Sequence, residues 1–198
     1  MESLMKTYQS LNSLATTGGL VIFGGNEDRM IPLCELKDTF DLQYRFYNRS
    51  IPGLCLDNAA TIYEQCVAPL APQEIYLHIG DADKALFEDH AAQFDLKYSQ
   101  LVQLIRSTDK KCAIAIISLK NPDNSPLISE MNKHLAVIAQ NEHCEFCDLT
   151  QLRVWNPHQT KEVMSFIYSL GFVHPLKQKP PLYDIAKLLF CYEHAHMV

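Results

Sequence analysis

The sequence has no apolar run near the roughly 18–20 residues that cross a bilayer, so no membrane-spanning helix is expected. It has no basic excess either: 17 Lys and Arg stand against 23 Asp and Glu, a formal net charge of −6. That balance argues against a nucleic-acid partner, which needs a basic face for the phosphates. The opening Met1-Glu2-Ser3-Leu4-Met5-Lys6 lacks the basic start and apolar core of a secretory leader, so a cytoplasmic location is expected. Disulfide pairing is not provided for. The seven cysteines (34, 55, 66, 112, 144, 147 and 191) are odd in number and scattered in apolar surroundings, as buried reduced thiols would be. Glycine is scarce, with seven in the chain, and no repeat, low-complexity tract or linker appears.

What is present is an ordinary globular composition, 47% hydrophobic and 20% charged over 198 residues, enough for one domain (1–198) with a real core. The stretch that organises it is Gly19-Leu20-Val21-Ile22-Phe23-Gly24-Gly25-Asn26-Glu27-Asp28. A short β-branched apolar run ends in paired glycines and polar side chains, which reads as a buried strand delivering a tight turn. Further strands are expected at about 41–47, 74–79, 112–119 and 144–149. The alternation of 41–47 suits a half-exposed sheet edge, and the continuous apolar run 112–119 suits a strand buried on both faces. Between them the 3–4 spacing of apolar residues predicts helices at about 1–16, from Pro32 to Phe40, and at 56–68, 85–107, 126–141, 159–170 and 182–195. Ser125 is the expected cap of the helix at 126–141. Strands separated by helices imply right-handed crossovers. The expected fold is α/β, a flavodoxin-like three-layer α/β/α sandwich around a five-stranded parallel sheet.

In such sheets ligands bind where loops leave the carboxyl ends of the strands. Four loops carry the residues of interest: Gly24-Gly25-Asn26, Asn48-Arg49-Ser50-Ile51-Pro52-Gly53, Gly80-Asp81-Ala82-Asp83, and Gly171-Phe172-Val173-His174-Pro175. Their order and spacing resemble the SGNH (GDSL-type) hydrolases over about residues 19–190. In that family the first loop reads Gly-Asp-Ser with a nucleophilic serine, and the second ends in a glycine whose N–H serves the oxyanion hole. The third reads Gly-x-Asn-Asp with an oxyanion asparagine, and the last reads Asp-x-x-His-Pro with the triad's acid and base.

The resemblance places Asn26 at the nucleophile, Gly25 at the aspartate before it, Ala82 at the oxyanion asparagine and Gly171 at the triad acid. It retains Gly53 as backbone donor and His174 as base, while Asn48, Arg49, Ile51, Gly80, Asp83 and Pro175 also match. Ser50 replaces a glycine. An asparagine amide has no acidic proton to surrender and is a poor nucleophile. Without a carboxylate on its second nitrogen, a histidine loses its fixed tautomer and the partner of its developing charge. Losing one oxyanion donor costs about 10²–10³ in rate and losing a triad nucleophile about 10⁶. The resemblance therefore implies an impaired or inactive esterase homologue that keeps a cleft for a small molecule or acyl ester, with no cofactor. The competing expectations are an active hydrolase of an ester or acetylated sugar, using Ser50 or a His174-activated water, and a non-catalytic interaction module.

Other constellations are weaker. Glu27, Asp28, Asp81 and Asp83 could gather at the strand ends around a hard cation, though solvated loop acids are the expectation and no metal site is assigned. Cys144-Glu-Phe-Cys147 has redox spacing, but in a strand its cysteines point to opposite faces, and no second pair completes a zinc site. His78, inside a strand, reads as a hydrogen-bonded core histidine, and His194-Ala-His196 as a frayed tail. Trp155 either flanks the pocket or packs.

Overall fold

A computed structural model describes residues 1–39, 42, 45–150 and 182–190. Helix α1 (Glu2–Asn12) precedes β1 (Leu20–Gly24), a 3₁₀ turn (Glu27–Met30) and α2 (Leu33–Thr39). Then follow β2 (Phe46–Asn48), α3 (Leu56–Ile62), β3 (Glu74–His78) and α4 (Lys84–Thr108). The sequence closes with β4 (Ala113–Ile117), α5 (Pro126–Asn141), β5 (Glu145–Cys147) and α6 (Leu182–Phe190). The strands form one parallel sheet in the order β2-β1-β3-β4-β5, the doubly wound order expected of a flavodoxin-like fold. None of the described helices is long and apolar enough to cross a membrane.

The two faces of the sheet divide the core by the period of two that a strand imposes. Val21, Phe23, Ile75, Leu77, Ile114 and Ile116 pack on one side with residues of α1, α3, α4 and α5. Leu20, Ile22, Tyr76, Ala115, Ile117 and Cys147 pack on the other with α2 and α6. Strand β1 is buried on both faces along its whole length, which is why its sequence is a continuous apolar run. Tyr76 fastens α6 to the sheet, donating its hydroxyl to the Leu182 carbonyl at 2.6 Å and meeting Phe190 edge-on.

Several expectations shift in detail. The edge strand lies at 46–48, at the C-terminal end of the span expected for it. The helix at 56–68 is α3 continued by a π turn (Tyr63–Val67) and a 3₁₀ turn (Ala68–Leu70) containing Pro69, and it stops where Ala71 turns left-handed at φ 44°. Ser125 makes no side-chain cap on α5. Asn121 does that loop's work instead, accepting the Ser125 N–H at 2.7 Å and donating to the Ser125 carbonyl at 3.0 Å. Cys144 and Cys147 fall in the cores on opposite faces of the sheet, and all six described cysteines are free. Burial pushes the Cys147 thiol up to about 12, the state of an inert packing residue. The helix expected at 159–170, with Trp155, Gly171, His174, Pro175, His194 and His196, lies outside the described residues.

Candidate functional site

Because every strand points the same way, the turns after β1, β2, β3 and β4 meet at one end of the sheet. After β1 the chain passes half-buried Gly25 and exposed Asn26, then folds back through the 3₁₀ turn so that Asp28 returns beneath it. Asp28 is 3% exposed and holds three strand ends together. One carboxylate oxygen accepts the Gly25 N–H at 2.9 Å, and the other meets His78 Nδ1 at 2.8 Å. Its carbonyl accepts the Asn48 side-chain amide at 2.6 Å. Gly24 must be glycine for this: an added Cβ would lie 2.9 Å from Asp28 Cγ and 3.2 Å from the His78 carbonyl oxygen.

The turn after β2 is fixed from both ends. Ile51 N–H donates to the Gly24 carbonyl at 2.9 Å, and Asn48 Oδ1 accepts the Ser50 N–H at 3.0 Å. Arg49, 5% exposed, reaches back to α1, where Nε and Nη2 donate to Asn12 Oδ1 at 3.1 and 2.7 Å. Its guanidinium lies over the rings of Tyr8 and Tyr47. Burial lowers the Arg49 pKa, opposed by the neighbouring Tyr8. Gly53, at φ 75°, occupies the left-handed region open to glycine. After β3, Gly80 turns at φ 130° and Asp83 is buried. The Asp83 carboxylate accepts the Leu56 N–H at 3.0 Å, joining this loop to the start of α3.

Desolvation raises the Asp83 pKa, against the lowering effect of the Leu56 hydrogen bond. A carboxyl with a raised folded pKa contributes stability at low pH that is lost as pH rises through its unfolded and then its folded value. Asp83→Asn keeps an oxygen for Leu56 and removes the buried charge. At pH 7 it is expected to unfold within about 1 kcal/mol of the parent chain, on either side of it, in a urea titration. A loss above about 3 kcal/mol would show that the charge itself holds the loop.

The turns after β1, β3 and β4 border a cleft of about 650 Å³ whose wall includes Gly25, Asn26, His78, Asp81, Lys84 and Lys120. A smaller slot of about 170 Å³ adjoins it, lined by Ile117, Leu119, Leu149 and Phe190 among others, and His78 lines both. Lys120 after β4 pairs with Glu27 of the β1 turn at 3.1 Å, and Lys84 pairs locally with Asp81 at 2.6 Å in the turn after β3. Asn132 anchors the β4 end from α5, accepting the Leu119 N–H at 2.7 Å and donating to the Leu119 carbonyl at 2.9 Å.

Of the residues singled out in the sequence, Gly25 and Asn26 lie in the wall of this cleft, whereas Gly53 and Ala82 are exposed on neighbouring turns and line no described part of it. His174 and Gly171 are outside the described residues. Ser50 is 0% exposed, its hydroxyl without a hydrogen-bond partner among the described residues, so it is closed to a ligand arriving from solvent. The four loop acids do not converge on a cation, and no group of three His, Cys, Asp or Glu suited to a metal occurs among the described residues. Glu27 and Asp81 are exposed, but Asp28 and Asp83 are buried structural acceptors rather than solvated acids.

His78 is hydrogen-bonded as expected but half-buried rather than a core residue: its bond is to Asp28, and it lines the cleft. Burial pushes its pKa down, and the Asp28 charge and hydrogen bond outweigh that, so the net shift is upward. Glu27 adds to the rise and Lys120 opposes it. The sequence alone did not single out this pair.

No protein-family model and no curated protein sequence matches the chain. Solved structures do. A Streptococcus pneumoniae protein described as a platelet activating factor superposes with a TM-score of 0.66 at 15% identity, over 96% of this chain and 92% of its own. A GDSL-like lipase from Bacteroides thetaiotaomicron gives 0.61 at 16% identity, over 94% of both chains. An acetyl xylan esterase gives 0.58 at 15% identity, over 87% of this chain and 96% of its own. The class is thereby defined: the chain has the SGNH/GDSL-type hydrolase fold.

Proposed function

We propose that this protein is an SGNH-fold homologue without the serine route of ester hydrolysis, keeping the cleft for a small ligand, an ester or acylated molecule among the candidates. The observation that carries this reading is Asn26, exposed in the cleft wall at the end of β1 where the fold's esterases place a nucleophilic serine. Its amide can donate and accept hydrogen bonds but cannot be activated for acyl transfer. Ala82 in the place of the oxyanion asparagine and Gly171 in that of the triad acid agree with it. The free cysteines support a reducing, cytoplasmic setting.

A serine-directed fluorophosphonate probe is expected to leave the protein unlabelled. Asn26→Ser is expected to restore little ester turnover. The missing oxyanion donor alone withholds about 10²–10³ in rate, and the missing orienting acid about 10⁴ more. Stoichiometric labelling, or turnover of short p-nitrophenyl esters that vanishes in His174→Ala, would overturn the reading. A second reading, an active esterase with a rearranged site, is compatible with the loss of the serine route and is favoured by the Asp28–His78 pair alone.

A further inference from the structure

Asp28 and His78 occupy none of the positions through which the resemblance to SGNH hydrolases is drawn, yet they form a part-buried acid–imidazole couple at the cleft. Three features set it apart from a strand clamp. Asp28 engages Nδ1, so the ring's tautomer is fixed and Nε2 is the nitrogen left for a ligand or water. The second oxygen of Asp28 is tied to the Gly25 N–H, so the carboxylate cannot swing away. The imidazole borders both the polar cleft and the apolar slot, where an acyl group and an attacking water would lie side by side. Asn26 adds an exposed amide donor at the same cleft for charge developing on a carbonyl oxygen.

We propose that His78, oriented by Asp28, is the general base of a single-displacement ester hydrolysis in this cleft. This rests on the reading above, that the cleft takes a small ester and lacks a nucleophilic serine. A water loses a proton to His78 Nε2 as its oxygen bonds to the acyl carbon. The carbon–alkoxy bond then breaks, and the departing alkoxide takes the proton back from the imidazolium. One water and one ester become one acid and one alcohol, with no redox change. Asp28 is a positioning residue: its contact with Nδ1 puts the proton of the neutral ring there and leaves Nε2 as the accepting nitrogen. Among the described residues the charged groups around the ring are Asp28 and Glu27 from the β1 turn and Lys120 after β4, and α6 sets the Phe190 edge against it. Since the base must be neutral, activity rises with pH, and its limb lies above the ordinary histidine value near 6.5.

The test is hydrolysis of short p-nitrophenyl esters by the full chain from about pH 5 to 9, with and without fluorophosphonate, for the parent, His78→Gln and Asp28→Asn. The expected result is slow, probe-insensitive turnover with a rising limb above pH 6.5, reduced at least about 10²-fold in both variants. Asp28→Asn acts through the tautomer: the amide donates to Nδ1, and the proton moves to Nε2. Thermal melts identify a variant that has not folded, and the parent's own pH profile then decides. Turnover indistinguishable from buffer, equal in His78→Gln, or flat across pH 6–8 overturns the general-base assignment and leaves the ligand cleft standing. Fluorophosphonate labelling overturns the serine-free reading instead.

Discussion

Gly24→Ala is expected to lower the unfolding free energy by about 3 kcal/mol or more, although the new side chain is a single methyl. The cause is not backbone conformation but what lies against the Cα. The methyl would press into the Asp28 carboxylate and lie 3.2 Å from the His78 carbonyl oxygen. One response is for β1 to shift. That disturbs the pairing of Gly24 with His78 and the 2.9 Å bond from Ile51 N–H to the Gly24 carbonyl. The other is for Asp28 to leave, which strands the Gly25 N–H and the half-buried imidazole. Overpacking costs about 1–3 kcal/mol, and an abandoned buried donor about 1–3 more. Gly25→Ala is the control, because a Cβ there meets nothing within 4 Å. Urea unfolding of the two variants measures the difference, and equal losses would contradict the packing of Asp28 under the turn.

That packing also shows where the sequence stopped being informative. Strands β1, β3 and β4 were legible because burial on both faces demands unbroken apolar runs such as Leu20–Phe23 and Ile114–Ile117, and the helices because apolar residues recur at 3–4. The turn glycines at 53 and 80 marked the strand-end loops, and the positive φ at both is the reason. The Asp28–His78 pair was not legible. Its members are 50 residues apart and meet only because β3 pairs directly with β1, setting His78 beside Gly24. Periodicity identifies strands but not their neighbours, so Asp28 looked like a loop acid and His78 like a core residue. Asp83 was hidden in the same way, since its partner is the Leu56 backbone of a distant helix start. Local chemistry misled at Ser125, whose side chain makes no cap, while Asn121, four residues upstream, holds the Ser125 backbone N–H and carbonyl. The family resemblance read the fold correctly because it rests on the order of loops around a sheet, which pattern preserves. It cannot locate proton-transfer groups at positions the family does not use.

Asp28→Asn should destabilise the fold in a way that depends on pH, and the sign follows from His78. The folded pKa of His78 lies above its unfolded value near 6.5. The pair's contribution is therefore complete below about pH 6.5 and is lost as pH rises through the folded value. Asparagine preserves the shape, can still accept the Gly25 N–H, and cannot stabilise a charged imidazolium 2.8 Å away. The expected loss is about 2–3 kcal/mol near pH 5.5, the scale of a hydrogen bond to a charged group, narrowing to about 1 kcal/mol or less near pH 8.5. Above the His78 pKa a neutral imidazole accepts the amide proton at Nδ1 and the pair survives as an uncharged hydrogen bond. Urea midpoints at the two pH values measure the narrowing. A loss of about 1 kcal/mol or less at both would mean that His78 is neutral throughout. The imidazole would then enter the cleft already in its basic form at pH 5.5, and the rising limb of hydrolysis would move below 6.5 with it. The stability profile and the rate profile are thus tied to one titration, and each fixes what the other must show.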